Sequence, residues 1–323
     1  MKNLKSGFAE NITKYLDWRE AIGYSRATDG AILSRFDRYC SANLPTAMTL
    51  NREVINAWMD SETTSIQNKI TAIRNFAKYL NAHGHEAYEY PSRGIVGERT
   101  PYLPYKFTKD EITALFAAIG KIKPTKVHPN MPVVLPAMLK LTYSCGLRPN
   151  EGRELLRENI DFDTGVIHIV NAKGKKERMV VMSDDMRKCL IDYDKIRKEF
   201  AGENPYFFPA ENGCLYKSKL IQKWFKGCWS AANPSIPISK LPDIRVYDLR
   251  HIFATTALTR WIESGANIKA KLAYLQAYMG HDSINETLYY VHLLPETLLL
   301  NGKWDTLTEP DDVESAEVEV SNG

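Results

Sequence analysis

The chain has 323 residues, of which 44% are hydrophobic and 25% are charged, and this mixture excludes wholesale disorder, collagen and fibrous coils. It is too long for one ordinary compact core, so we expect two domains. No apolar stretch approaches the roughly 18 residues of a membrane span, and the first residues lack the apolar run of a secretory signal. These features predict an intracellular, cytoplasmic protein without a membrane partner.

The net charge of +3 hides an uneven distribution. From Glu309 onward the chain carries six acidic residues and no lysine or arginine. With those six removed from the 39 acids, 42 basic residues face 33 acidic ones, an excess of nine. Such an excess favours a polyanionic partner, although charge alone fits a merely slightly basic protein equally well.

The five cysteines are widely spread and odd in number, and they contain no CxxC pair. They predict neither a disulfide framework nor a zinc site; the default is small buried side chains in a reducing compartment. His83 and His85 lie close together but have no cysteine or further histidine nearby. We therefore expect no metal and no cofactor.

Apolar residues at helical spacing predict that residues 1–88 form a small helical bundle. Its second helix is expected around Ile32–Tyr39, and its third follows a cap at Thr49 or Asn51. The fourth runs from about Ser65, and its basic residues lie off the apolar stripe. Those residues are Lys69, Arg74 and Lys78. Such a bundle could bind DNA, a protein or nothing.

The segment 89–106 is rich in proline and glycine and predicts an extended linker. A second domain, 107–304, then opens with a T-x-x-E capping box that begins at Thr108. Beyond a strongly apolar helix, alternating apolar residues between 159 and 183 predict three short antiparallel strands. The acidic tail, 305–323, is expected to be disordered. The predicted fold class is thus mainly α with a small antiparallel β-sheet.

Four short segments of this second domain carry residues suited to chemistry, and each also has an ordinary explanation. Arg148 follows a helix-ending Gly146, and an arginine there most often lies at the surface or pairs with a carboxylate such as Glu151. Lys173 lies in a lysine-rich hairpin turn. Such a turn is most often just solvated, but it is also a good way to place an ammonium beside a backbone phosphate.

The other two segments follow in the C-terminal third of the chain. Tyr247 and Arg250 are three residues apart and share a helix face. A second arginine that converges with Arg148 would form a phosphate clamp, because two guanidiniums offer bidentate donors to the non-bridging oxygens. His281 begins a turn after a helix that Gly280 ends.

Together these segments resemble the tyrosine recombinases, the site-specific DNA recombinases of the phage-integrase and Xer type. The resemblance covers the whole chain in layout: a helical core-binding (SAM-like) domain, a linker and a catalytic domain. The residues that carry it lie in the family's order: Gly146-Leu147-Arg148, Lys173-Gly174-x-Lys176-Glu177-Arg178, Tyr247-Asp248-Leu249-Arg250-His251-x-Phe253-Ala254-Thr255, Gly280-His281 and Tyr290-x-His292.

The resemblance implies a role for each matching residue. Arg148 and Arg250 would clamp the scissile phosphate, and His281 would hydrogen-bond it and help proton transfer. Lys173 would protonate the departing 5′ oxygen as general acid. Tyr290, nine residues after His281, would be the nucleophile that forms a 3′-phosphotyrosyl link. That link keeps the bond energy, so religation would need neither ATP nor a metal.

The chain departs from the family's pattern at two points. Tyr247 stands where the family usually has histidine. A phenol with a pKa near 10 is no base at neutral pH, so we expect Tyr247 to donate a hydrogen bond. The identity of the general base is left open. From Gly265 to His281 the chain spans 16 positions, about four more than in compact members, or roughly one helical turn.

Two adjacent tyrosines compete for the role of nucleophile. Their side chains point about 100° apart on a helix, so only one can face a given site. The spacing from His281 favours Tyr290, which leaves Tyr289 as a packing residue or a phosphate contact.

For DNA contact we expect three basic side chains of the fourth helix and three of the hairpin turn: Lys69, Arg74, Lys78, Lys175, Lys176 and Arg178. The resemblance implies a double-stranded recombination site as partner, a homo-tetramer on DNA, nucleoid association and room for accessory DNA-bending factors. The leucine-rich segment from Leu293 to Leu300 either docks onto a neighbouring protomer or packs on its own domain.

Within the recombinase interpretation, integration and excision of a mobile element come first, because the spacing before His281 departs from the compact Xer form. Resolution of chromosome or plasmid dimers is second, and a DNA inversion switch third. A non-catalytic DNA-binding relative and a type IB topoisomerase are hypotheses from other classes.

Overall fold

The computed structural model describes residues 4–61, 66–91, 102–170 and 177–295. The chain divides into two compact units, Met1–Tyr102 and Leu103–Gly323, and the division falls within the segment 89–106. The predicted hairpin turn with Lys173, Lys175 and Lys176 and the acidic tail lie outside the described residues. In the described segments, none of the helices is both long enough and apolar enough to cross a membrane.

The first unit is built from four helices: α1 (Ala9–Ala21), α2 (Arg26–Asn43), α3 (Arg52–Asp60) and α4 (Ile66–Ala82). Asn51 caps α3, because its side chain accepts a hydrogen bond from the Val54 backbone at 2.9 Å. Apolar side chains of all four helices share one core, in which Leu16, Trp58 and Phe76 are fully buried. The helical bundle predicted for this region is confirmed.

One basic residue of α4 does not lie where the sequence pattern placed it. Lys69 is 0% exposed, and its ammonium lies 5.4 Å from the centre of the Trp58 ring. The expectation that Lys69 lies off the apolar stripe is therefore wrong, because a cation–π contact with α3 draws its long side chain inward. Arg74 is partly exposed and Lys78 is exposed, so their contact with DNA stays a prediction.

The second unit opens with the predicted capping box: Thr108 Oγ1 and Glu111 exchange hydrogen bonds at the start of α5 (Lys109–Ile119). The apolar helix α6 (Met131–Cys145) runs through the middle of the core and is followed by the short α7 (Pro149–Arg153). The remaining helices are α8 (Asp184–Ala201), α9 (Ser218–Ala232), α10 (Asp248–Glu263), α11 (Ile268–Met279) and α12 (Ile284–Val291).

A three-stranded antiparallel sheet interrupts the helices, with strands β1 (Ile160–Asp161), β2 (Val166–Ile169) and β3 (Arg178–Val181) in that order. Ile167 pairs with Val180, and both are fully buried, whereas Met179 on the opposite face is exposed. The alternation seen in the sequence thus reflects one buried face. The predicted fold class, mainly α with a small antiparallel sheet, is confirmed.

Helices α10, α11 and α12 form a second, smaller core around Leu258, Leu272 and Met279. Leu294, just beyond α12, is 4% exposed and belongs to this core, and Leu293 packs against it. The start of the leucine-rich segment therefore packs on its own unit, and Leu298 to Leu300 lie outside the described residues.

Candidate active site

The sharp end of α6 positions the first arginine. Gly146 adopts a left-handed conformation with φ of 61°, and a Cβ there would lie 2.4 Å from the Phe253 ring. Glycine meets both demands, since it has no side chain to clash and enters this region freely. The chain then turns directly into α7, so Arg148 becomes the residue that caps this helix.

A buried carboxylate holds Arg148 in place. Glu151 accepts hydrogen bonds from Arg148 Nη1 at 2.8 Å and from the Arg148 backbone at 2.8 Å. Arg178 of β3 binds the same carboxylate with both Nη atoms, at 2.9 and 2.7 Å. Burial opposes ionisation of Glu151, but the hydrogen bonds and charges of the two arginines outweigh it and lower its pKa to about 2. The carboxylate is therefore ionised at neutral pH.

Arg178 is thus a positioning residue in this structure. Its Nε also donates to the Tyr278 carbonyl at 2.8 Å, and its side chain is only 9% exposed. The expectation of a DNA-facing side chain is wrong for Arg178, because a bidentate pair with Glu151 draws it inward from the strand.

The second arginine meets the first at the C-terminal end of α11. Arg250 Nη2 donates to the Met279 carbonyl at 2.6 Å, and Arg148 Nη2 donates to the next carbonyl, that of Gly280, at 2.6 Å. Arg250 Nη1 also donates to the Gly146 carbonyl at 2.7 Å. The two guanidiniums, 102 residues apart in sequence, therefore bind adjacent carbonyls at one helix end.

Arg250 is fully buried, and its Nε lacks a hydrogen-bond partner among the described residues. Burial and the charge of Arg148 lower its pKa, opposed by nearby phenols. A buried cation with an unpartnered donor beside a second, partly buried cation suits an anion, because an anion supplies both the missing acceptor and the compensating charge.

His281 lies between this pair and α12. Its Nε2 is 3.2 Å from Arg250 Nη2, and its Nδ1 is 2.7 Å from Thr287 Oγ1. Because arginine only donates, Nε2 accepts and Nδ1 carries the proton that bonds Thr287. Burial, followed by the charge of Arg250, lowers the His281 pKa to about 4. The imidazole is neutral at neutral pH, and both of its nitrogens are engaged.

Tyr290 faces the arginines, and Tyr289 is the more exposed of the two adjacent tyrosines. The Tyr290 side chain is 2% exposed, and its ring stacks on His281 with centroids 5.7 Å apart. Burial raises the pKa of Tyr290 to about 12, although the charge of Arg250 opposes the shift. The phenol is protonated at neutral pH, so its attack on any electrophile requires a proton acceptor.

His251 contacts the Tyr290 ring from α10. Its ring centroid lies 5.5 Å from Tyr290, 5.9 Å from Tyr289 and 5.0 Å from Tyr247. Its Nδ1 is buried and has no hydrogen-bond partner within the described part of the chain. Burial and the charge of Arg250 lower its pKa to about 4. This imidazole is neutral as well.

Tyr247, at the start of α10, is 38% exposed and borders an open cleft of about 480 Å³. Arg148, Asn150 and His168 also line the cleft. Tyr247 and the first arginine therefore line one open cleft. Lys173, expected to complete the site, lies outside the described residues.

Two parts of the site were not assigned a function from the sequence. Glu151 was recognised only as an ordinary partner for Arg148, although its position three residues away is the signal that places it on the same side of α7. Thr287, which orients His281, carries no sequence signal, since a buried threonine in a helix looks like packing.

Comparisons with known proteins identify the family of this chain. The sequence model of the phage integrase family matches residues 106–297. The tyrosine recombinase XerD of Vibrio vulnificus is 28% identical over 303 residues, covering 92% of this chain and 87% of the relative.

Two solved structures share the fold at low sequence identity. The Tn1549 transposon integrase in complex with transposon right end DNA is 17% identical, with a TM-score of 0.61, covering 93% of this chain and 99% of that one. The XerH site-specific recombinase bound to a palindromic difH substrate is 17% identical, with a TM-score of 0.60, covering 94% of this chain and 92% of that one. The family match spans more than half of the chain and includes both arginines, His281 and Tyr290, so this chain belongs to the phage integrase family and is a tyrosine recombinase.

Proposed function

We propose that the protein cleaves and rejoins double-stranded DNA at a specific site through a 3′-phosphotyrosyl intermediate. The observation that carries the proposal is the convergence of Arg148 and Arg250 beside a buried tyrosine. Two cations suit a phosphodiester whose charge grows in the transition state, and a positioned phenol suits its nucleophilic displacement. Tyr290 forms the bond to phosphorus, and the 5′ oxygen leaves.

The remaining residues prepare this step. Arg148 and Arg250 bind the non-bridging oxygens, held by Glu151 and by the carbonyls at the end of α11. Once Nε2 of His281 is released from Arg250, the ring proton shifts to Nε2, which donates to the phosphate while Nδ1 accepts from the Thr287 hydroxyl. Lys173 protonates the departing 5′ oxygen. Tyr247 donates a hydrogen bond to the phosphate. Since Arg250 and Tyr290 are buried, DNA must uncover both before cleavage.

Among biological tasks, we favour integration and excision of a mobile element. The segment between Gly265 and His281 contains α11, and its length, about four residues more than in compact Xer proteins, supports this choice. Resolution of chromosome or plasmid dimers is the second candidate, favoured by the 28% identity to XerD. A homo-tetramer on DNA, with accessory bending factors where the site requires them, follows from the need for four cleavages.

A non-catalytic DNA-binding relative is the alternative from another class. Binding alone does not require a tyrosine packed between two imidazoles beside two arginines, so the site argues for catalysis.

Covalent trapping tests the proposal. The protein, without metal or ATP, is incubated with nicked suicide duplexes tiled from DNA flanking its own gene, and the products are separated on denaturing gels. We expect an adduct that disappears in Tyr290→Phe and persists in Tyr289→Phe, the matched control. Specific DNA retention without any adduct would contradict the proposal and favour the binding-only relative.

A further inference from the structure

The attack of Tyr290 lacks an assigned proton acceptor. Its phenol is buried and its pKa is raised, so it does not ionise by itself near neutral pH. Tyr247 occupies the position where related enzymes usually carry a histidine, and a protonated phenol accepts no proton at neutral pH. The base must therefore be sought among the other groups that touch Tyr290.

Two imidazoles contact the Tyr290 ring, and their nitrogens differ in availability. His281 uses Nε2 to accept from Arg250 and Nδ1 to bond Thr287. His251 has a buried Nδ1 with no partner in the described segments of the chain. A buried nitrogen without a partner is costly, and such an atom in an active site calls for a role. With its proton on Nε2, the neutral His251 ring offers a lone pair at Nδ1.

We propose that His251 is the general base that takes the phenolic proton of Tyr290 during cleavage and returns it during religation. This inference rests on the function proposed above. It deepens that function by naming the acceptor that the substitution at Tyr247 leaves open.

Nδ1 of His251 makes no hydrogen bond to the phenol in this structure, so Oη must first move within reach of it. The Oη–H bond of Tyr290 then breaks as its proton moves to Nδ1 of His251, and Oη forms a bond to phosphorus. The bond from phosphorus to the 5′ oxygen breaks, and that oxygen takes a proton from the general acid, Lys173. In religation the 5′ hydroxyl attacks, the phenolate leaves, and Nδ1 returns the proton.

The charges around His251 make its pKa depend on whether substrate is bound. Burial and the charge of Arg250 on its own helix lower its pKa, while Tyr247 contacts the ring from the start of α10 and Tyr289 and Tyr290 contact it from α12. A phosphate bound between the arginines offsets the charge of Arg250. The imidazole therefore becomes a stronger base when substrate arrives and stays neutral before that.

Two substitutions separate proton transfer from packing. His251→Asn keeps a hydrogen-bond acceptor near the position of Nδ1 but cannot carry a proton away, and His251→Phe keeps the ring that packs on the tyrosines. We expect both to slow formation of the covalent adduct by about 10²- to 10⁴-fold at pH 7. DNA retention on native gels should stay within about twofold of the unmodified protein, because neither change touches the arginines.

A pH profile distinguishes a base from a structural residue. Between pH 6 and 9 the cleavage rate of the unmodified protein should be nearly level, whereas the variants should gain about tenfold per pH unit as solution hydroxide replaces the base. His128→Asn removes a histidine that bonds Glu211 in the same unit and serves as the matched control. It should leave both the rate and the profile unchanged.

A duplex with sulfur in place of the 5′ bridging oxygen completes the test, because a thiolate leaves without a general acid. It should restore cleavage by Lys173→Ala and not by the His251 variants. Cleavage by either folded His251 variant within about threefold of the unmodified rate, or an equal loss at every pH, would overturn the inference. If the adduct depends on Tyr290 and not on His251, this inference fails alone; if no adduct forms, the proposed function fails with it.

Discussion

The two halves of the site are held by different kinds of interaction. The phosphate half consists of Arg148 and Arg250, which are held by directional hydrogen bonds to Glu151 and to the backbone carbonyls of residues 146, 279 and 280. The nucleophile half consists of Tyr290, which has one polar contact, with Arg250, and is otherwise held by ring contacts with His251, His281 and Tyr289. Directional hydrogen bonds therefore fix the first half, whereas the second is held mainly by packing.

This difference matches the tasks of the two halves. A phosphate clamp works best when its donors are already oriented, because then no reorganisation is needed as charge develops. A nucleophile that joins and leaves the DNA must move, and ring contacts lose little energy when a ring slides or turns. The site therefore combines preset cations with a tyrosine whose ring can turn toward a bound substrate while it stays in contact with its neighbours.

The largest expected effect comes from the nucleophile half. Tyr290→Phe removes one oxygen and should abolish the covalent adduct, because no bond to phosphorus can form. DNA retention and the melting temperature should change little, since the ring and its contacts remain. Denaturing gels, native gels and thermal melting measure the three quantities, and an adduct that survives would identify another nucleophile.

Removing the charge of Glu151 should disrupt the phosphate half. Glu151→Gln leaves Arg148 and Arg178 without their buried counter-charge, and we expect a loss of about 3–5 kcal/mol in the free energy of unfolding together with loss of cleavage. Glu154→Gln, which affects an exposed pair with Arg153, should cost less than about 1 kcal/mol. Denaturant unfolding compares the two variants. Equal midpoints would show that the charge of Glu151 does not stabilise the unit.

The turn that carries Arg148 provides a backbone test. Gly146→Ala would place a Cβ at 2.4 Å from the Phe253 ring in a left-handed conformation, whereas Gly84→Ala meets a similar φ of 80° in open space. We expect about 1–2 kcal/mol of destabilisation for Gly84→Ala and about 1–3 kcal/mol more for Gly146→Ala. Denaturant midpoints of the two variants check the difference, which would vanish if Phe253 moved aside freely.

The two halves should also respond to acid in separate pH windows. His251 and His281 have pKa values lowered from 6.5 to about 4, so below pH 6.5 the unfolded chain binds protons that the folded chain does not, and stability falls between pH 6.5 and 4. Glu151, lowered from 4.5 to about 2, contributes stability that is lost only between pH 4.5 and 2. Unfolding curves at several pH values should show that the free energy of unfolding falls less between pH 6.5 and 4 in His251→Phe than in the unmodified protein. An unchanged fall would show that His251 does not cause this pH dependence.

Much of this site could be predicted from the chain because its signals are local. Gly146 and Gly280 marked two helix ends, and both adopt left-handed conformations there. The positions of Arg148, Arg250, His281 and Tyr290 follow from short motifs in a family order, since each motif places one side chain on one turn of backbone. The capping box at Thr108 and the alternating strands are local in the same sense.

Contacts between distant segments could not be read from these patterns. Lys69 and Arg178 looked like free surface cations, yet Trp58 and Glu151 draw them inward, because a long side chain follows partners that only the folded chain supplies. The orphaned Nδ1 of His251 and the bond between Thr287 and His281 are also meetings of separate helices. Local periodicity sets which face of a helix is buried, but the packing of α10 against α12 decided which imidazole keeps a nitrogen free beside Tyr290.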